Sequence, residues 1–260
     1  MFNKVQISQI VEIAKQAGDV ILEYYRGYKE LSVEIKGDDS PVTKADLAAN
    51  DLIVQKLNRL FPEIAAVSEE NSAQENLKAA QNDQYFMIDP LDGTSSFIKK
   101  SDEFTVNIAL IKNSKVVFGV IYLPAKDLMY FSNENDQAVK IENFSGQQEI
   151  ARIKVLGAKN NLRIICTQRE PEKSEIINDL NEKNISVKEI VAVASSYKFC
   201  LIAEGDADFY PRKVHIKAWD VAAGHAIVKA AGGNMINSLS RKEIIYEVGN
   251  EFKMPFFEVF

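Results

Sequence analysis

From Ile7 onward, apolar residues recur at Ile10, Val11, Ala14, Ala17, Ile21, Leu22 and Tyr25, a spacing that predicts one long helix closed at Gly27. Leu31, Val33 and Ile35 then alternate with polar residues, which predicts a half-buried strand, and Gly37 to Pro41 reads as a loop. Thr43-Lys44-Ala45-Asp46 has the spacing of a capping box and predicts a helix from Leu47 to Leu60, ended by Phe61-Pro62. Ile64 to Ser68 and Tyr85 to Ile88 read as strands separated by the polar stretch Asn71 to Gln84. Phe104 to Phe131 predicts two or three strands with a turn at Asn113-Ser114; Asn133 to Asp136 is another turn, and Gln147 to Ile153 a connection.

Beyond about residue 150 strands and helices alternate. Leu162–Cys166, Ile185–Val191, Ala207–Tyr210 and Asn234–Asn237 read as strands; Glu172–Asn181, Ser196–Glu204 and Trp219–Ala231 read as helices. That alternation belongs to an α/β layer, so the pattern predicts two tightly packed halves, 1–150 and 151–260, without a linker. Tyr85, Phe86 and the terminal Phe256–Phe260 read as strand core.

The chain has 260 residues, 46% apolar and 26% charged, enough for a substantial core. A formal net charge of −6 argues against a nucleic-acid polymer as partner. A small anionic substrate would need a bound cation or a local basic pocket. Cys166 and Cys200 lie outside any metal-binding spacing and read as buried thiols of a reducing compartment. His215 and His225 are too few for an imidazole-rich metal site; neither suggests a catalytic base, and His225 reads as a packing residue. No apolar run has the length of a membrane span. The expectation is a cytoplasmic protein, free or peripheral at the inner face of the membrane, as a monomer or a homodimer.

Chemistry concentrates in Asp89-Pro90-Leu91-Asp92-Gly93-Thr94, where two carboxylates straddle a proline at the end of an apolar strand. Proline keeps Asp89 extended, and the chain is expected to turn immediately after it. Thr94 can open a short helix with its N–H groups toward an anion. Two acids and the Leu91 carbonyl are hard oxygen donors of the kind Mg²⁺ selects, but the same spacing also suits a polar turn whose aspartates cap a helix. Glu69-Glu70 follows another apolar stretch and by itself reads as a solvated pair. Asp220, in Trp219-Asp220-Val221-Ala222-Ala223-Gly224, reads as the acidic first turn of a helix whose small residues would set it deep.

Together, in this order, the double Glu, the Asp-Pro-Leu-Asp-Gly-Thr and the Trp-Asp-x-Ala-Ala-Gly motifs resemble the inositol monophosphatase superfamily. Ser40 to Asp46 extends the likeness nearly end to end. Glu103–Leu110, Ser195–Cys200 and Ala203–Arg212 are most similar to its bisphosphate nucleotidase subgroup. The resemblance implies a layered αβαβα sandwich, a lithium-sensitive phosphomonoesterase and a small phosphorylated substrate. It implies one Mg²⁺ held by Glu69, Asp89 and the Leu91 carbonyl, a second by Asp89, Asp92 and Asp220, and a third, weaker ion reached from Glu69 through water, with Mn²⁺ as a substitute. Asp46 and Thr94 would orient the attacking water, with Glu69 and Asp89 as further catalytic residues. Leu91, Asp92, Gly93, Thr94, Ser195, Lys198, Arg212 and Asp220 would contact the substrate, implied to be adenosine 3′,5′-bisphosphate cleaved to AMP and phosphate. Outside the resemblance, Lys198 and Arg212 read as a surface helix charge and a strand-end charge.

Three features depart from the subgroup. Thr167-Gln168-Arg169-Glu170 stands where Ser-Arg-Ser-His is usual, Ser95-Ser96-Phe97 stands where Lys-Glu-Phe is usual, and the spacer from Glu70 to Asp89 is short. An inositol or sugar monophosphatase is the alternative within the same chemistry. A catalytically silent metal-binding regulatory module is the alternative outside it.

Overall fold

Helical spacing at the N-terminus produces α1 (Lys4–Tyr25), whose capping box joins Asn3 and Gln6 and whose apolar stripe is buried. In this computed structural model residues 2–35, 41–157, 161–167, 172–182, 184–247 and 250–260 are described. Of the loop expected at Gly37–Pro41, residues 37–40 lie outside them while Pro41 opens a strand, and residues 168–170 of the departure at Thr167–Glu170 also lie outside. A short hairpin of β1 (Val33–Ile35) and β2 (Pro41–Thr43) leads into α2 (Lys44–Leu60). β3 (Ala65–Ser68), α3 (Ala73–Ala79), β4 (Gln84–Asp92) and the one-turn α4 (Thr94–Ile98) follow. α3 occupies the stretch read only as polar; its signal is the Ser72…Glu75 capping box.

β4 begins an antiparallel run through β5 (Thr105–Lys112), β6 (Lys115–Leu123), β7 (Leu128–Ser132), β8 (Ala138–Glu142) and β9 (Glu149–Ile153). With β3 added in parallel at the other edge, the sheet has seven strands in the order β3-β4-β5-β6-β7-β8-β9. Asn113 and Ser114 both take positive φ in the expected turn. Residues 147–153, read as a connection, instead supply β9, so the change of sheet falls after Ile153.

The second half supplies β10 (Leu162–Cys166), α5 (Glu172–Glu182), β11 (Val187–Ala192), α6 (Tyr197–Ala203), β12 (Tyr210–Arg212), α7 (Ala222–Ala230), β13 (Met235–Asn237) and β14 (Phe257–Val259). β10 and β11 pair in parallel; β12, β14 and β13 form an antiparallel sheet. A parallel bridge from Ile164 to Phe209 joins the two into one mixed layer.

Alternation along β4 sorts the core. Phe86 and Ile88 pack with α1 and α2 on one face of the large sheet. Tyr85 and Met87 pack on the other face, in a cluster that takes in Phe199 of α6, Ala223 and Ile227 of α7, and Tyr210 and Phe257 of the second sheet. Ile176 and Leu180 of α5 cover the outer side of β10. The layers therefore run αβαβα, as the resemblance implies. α7 sits so close to β6 that a Cβ on Gly119 would lie 2.4 Å from the Ala223 carbonyl oxygen.

Candidate active site

Asp89 continues the face of Tyr85 and Met87, so it points toward α7, and it is 1% exposed. Contrary to the expected turn, β4 stays extended past Pro90 to Asp92, with an irregularity in its register against β5 between the two aspartates. The backbone N–H of Leu91 donates to Asp89 Oδ1 at 3.1 Å. Glu69 follows β3, fixed by its N–H donating to the Ile88 carbonyl at 3.1 Å. Asp220 lies in the turn before α7 rather than in its first turn, because the helix starts at Ala222; its carboxylate accepts from Lys217 N–H at 3.0 Å. Glu69, Asp89 and Asp220 each bring one carboxylate oxygen within 4.8 Å of the others. Asp92 stands beside them and accepts from Ser196 Oγ at 2.7 Å.

After Asp92, Gly93 takes φ +91, and a Cβ there would lie 3.0 Å from the Glu103 carbonyl oxygen. Both facts demand glycine. α4 then starts at Thr94, as its sequence predicts. Thr94 Oγ1 lies 3.0 Å from Asp46 Oδ1 and 3.2 Å from the Leu91 carbonyl. Asp46 is the capping-box residue of α2: its Oδ2 accepts from Thr43 N–H at 2.8 Å and from Thr43 Oγ1 at 2.5 Å. One carboxylate thus caps a helix and engages Thr94.

Burial pushes the Asp46 carboxyl above its ordinary value, against the hydrogen bonds from Thr43 and Thr94. Burial also drives Asp89 well up, reinforced by the charges of Glu69, Asp92 and Asp220. Asp220 is raised in the same way, by burial first and then by Asp92 and Glu69. Such a group of acids, each disfavouring the others' ionisation, is stabilised by a cation. An all-oxygen donor set suits a hard divalent ion.

Lys198 and Arg212 are not surface charges: they are 9% and 6% exposed. Lys198 Nζ donates to the Val193 carbonyl at 3.2 Å and lies over the Tyr210 ring. Burial, opposed by the charges of Asp92 and Asp220 and aided by that of Arg212, lowers its pKa to about 8. Ser195, half-buried with φ 50, abuts the glycine turn: its Cβ is 3.2 Å from a Cβ built on Gly93. Glu103 Oε2 holds the adjoining loop by accepting from Ala194 N–H at 2.9 Å. The fold therefore gathers the basic and acidic candidates at one junction between the halves.

Sequence comparison places residues 3–250 within the pattern of the inositol monophosphatase family. The chain belongs to that family. This inositol monophosphatase family member is 39% identical over 254 residues to the 3′(2′),5′-bisphosphate nucleotidase CysQ of Salmonella typhimurium, covering 97% of this chain and 98% of that one. It is 41% identical over 230 residues to the CysQ of Buchnera aphidicola, covering 88% and 83%. Among solved structures, CysQ from Bacteroides thetaiotaomicron superposes with a TM-score of 0.84 at 34% identity, covering 98% of this chain and 97% of that one. The family is metal-dependent, and the acidic cluster fits that requirement.

Two residues at the site carry no role in the sequence reading. Asn107, on β5 opposite Asp89, and Ser196, at the start of α6, are each 1% exposed and joined by a 2.8 Å hydrogen bond. Their signal is a polar residue inside the apolar run Val106 to Leu110 and a second serine after Ser195. His225 is the packing residue expected: buried, with Nδ1 3.0 Å from Tyr246 Oη. Among the described residues no helix is long and apolar enough to cross a membrane.

Proposed function

We propose that this family member is a Mg²⁺-dependent 3′(2′),5′-bisphosphate nucleotidase that removes the 3′-phosphate of adenosine 3′,5′-bisphosphate to give AMP and phosphate, in the cytoplasm. The observation that carries the substrate choice is the pair of buried cations, Lys198 and Arg212, beside acids otherwise hostile to an anion. A second phosphate on the substrate would meet these cations, and burial makes charge-assisted bonds to it strong. The end-to-end likeness to nucleotidases of that name supports the same reading.

Glu69, Asp89 and the Leu91 carbonyl would hold one Mg²⁺; Asp89, Asp92 and Asp220 would hold a second, and Glu69 would reach a third through water. When bound, such ions activate a water for attack on phosphorus and neutralise charge on the leaving oxygen. Thr94 has one hydroxyl proton, which its 3.0 Å contact directs to Asp46, leaving Oγ1 lone pairs to accept from the attacking water. The raised pKa of Asp46 makes its carboxylate a better resting place for the proton that Thr94 passes on. Gly93 and Thr94 N–H groups steady the phosphoryl oxygens. Ser195, Lys198 and Arg212 receive the remainder of the nucleotide.

A phosphate-release panel tests this: adenosine 3′,5′-bisphosphate, inositol 1-phosphate and fructose 1,6-bisphosphate with excess Mg²⁺. The nucleotide is expected to be preferred. Preference for inositol 1-phosphate overturns the substrate while keeping the chemistry; release from none of them points to a silent binding module.

A further inference from the structure

A serine at the start of a helix ordinarily turns its hydroxyl oxygen to the open backbone N–H groups of the first turn. Ser196 holds that position in α6 and makes no such bond. Its hydroxyl lies 2.7 Å from Asp92 Oδ2 and 2.8 Å from the Asp220 carbonyl oxygen, and it accepts from Asn107 Nδ2 at 2.8 Å. A local preference set aside at one place marks a demand from elsewhere in the fold. Asn107 repeats the signal. It sits between Val106 and Ile108, both fully buried, and its Oδ1 has no hydrogen-bond partner among the described residues. A buried amide with one end unmatched is costly, so its N–H end must be valuable where it points.

We propose that Ser196, backed by Asn107, is a positioning residue that fixes the Asp92 carboxylate and the Asp220 backbone against each other. It ties the first turn of α6 to the acidic cluster. The inference rests on the reading of that cluster as a divalent-cation site. Four segments meet at this one hydroxyl: the end of β4, the middle of β5, the start of α6 and the turn before α7. With Asp92 Oδ2 engaged by Ser196, the other carboxylate oxygen would be the one available to a bound ion. Lys198 stands two residues further along α6, so a ligand that orders that turn also orders Asp92. AMP and the cation should therefore strengthen each other's binding.

The test is calorimetric titration of the full chain with Mn²⁺, in the presence and absence of AMP and without turnover. Ser196→Ala is expected to weaken Mn²⁺ binding by about 10- to 100-fold, the usual effect of losing a group that orients a metal ligand. It should also abolish the gain conferred by AMP. Ser196→Thr, which keeps the hydroxyl, should restore most of both. Asn107→Leu, which fills the same space without donors, should weaken binding in the same direction. Variants that melt earlier but bind Mn²⁺ as the parent does would assign the pair a purely structural role and overturn the proposal. If Ser196→Ala does not fold, parental affinity in Asn107→Leu overturns it equally. A parent chain that takes up no Mn²⁺ defeats the cation reading itself, and this inference with it.

Discussion

Removing the Thr94 hydroxyl separates chemistry from architecture at this site, because Asp46 does not depend on Thr94 for its place. In Thr94→Val, Asp46 keeps the Thr43 N–H bond at 2.8 Å and the Thr43 hydroxyl at 2.5 Å, so α2 stays capped. The hydroxyl's contacts to Asp46 Oδ1 at 3.0 Å and to the Leu91 carbonyl at 3.2 Å are lost, and losing a donor to a buried carboxylate costs about 1.5–3 kcal/mol of stability. Catalysis should suffer more. A positioned proton relay contributes roughly 10²- to 10⁴-fold, equivalent to about 3–5 kcal/mol in the barrier. Steady-state phosphate release at saturating Mg²⁺ and nucleotide reads the second effect, and urea unfolding of the same samples reads the first. Thr94→Ser should recover most of the rate. Asp46→Asn combined with Thr94→Val should be little worse than the more damaging single variant, since both interrupt one path. A folded Thr94→Val enzyme turning over within about tenfold of the parent, short of the range expected of such a relay, would refute the assignment.

Asp89→Asn should abolish phosphate release, yet the metal-free variant should melt no lower than the metal-free parent, because a buried charge repelled by Glu69, Asp92 and Asp220 has gone; retained turnover contradicts the shared role of Asp89. Burial lowers His225 to about 4, so the unfolded chain takes up a proton first as the pH falls. The resulting stability is fully present above about 6.5 and is lost toward 4, about 2 kcal/mol of it between pH 7 and 5; urea curves should show this slope in the parent and a flatter one in His225→Gln. Gly119→Ala should cost about 1–3 kcal/mol in the same assay, because its methyl group would meet the Ala223 carbonyl oxygen and the Ala226 side chain rather than open space.

Period and punctuation make most of this fold legible in the sequence itself. The stripe of α1, the capping box of α2, the apolar run of β4 and the alternation after residue 150 each carry their own signal, and the acids at strand ends stand out against apolar neighbours. What escaped depends on the partners a segment meets. β9 exposes Glu149 to Arg152, as an edge strand can, so it shows no buried face to read. Lys198 looks like a helix-surface charge until the large sheet and β12 close around it. Ser196 looks like an ordinary cap, and only the neighbouring Asp92 and Asp220 explain why it is not one. Local rules predict local structure; the residues that break them here are those the site has drawn to other uses.

The acids also bear on how the two sheets are held together. Asp46 comes from α2, Glu69 from the end of β3, Asp89 and Asp92 from β4, and Asp220 from the turn before α7, so the acids meet only when α7 packs against the large sheet. Without a cation their meeting works against assembly, since burial and mutual repulsion raise Asp89 and Asp220 together. The neutral donors Ser196 and Asn107 soften that repulsion without cancelling it, because a hydroxyl and an amide bring dipoles and no charge. The apolar layer that includes Met87, Phe199 and Ala223, with the Arg212 charge beside Asp220, opposes that repulsion when no ion is bound. Binding energy from the ion then adds directly to the stability of that junction. If these oxygens hold the ion as proposed, the chemistry and the cohesion of the two sheets depend on the same site.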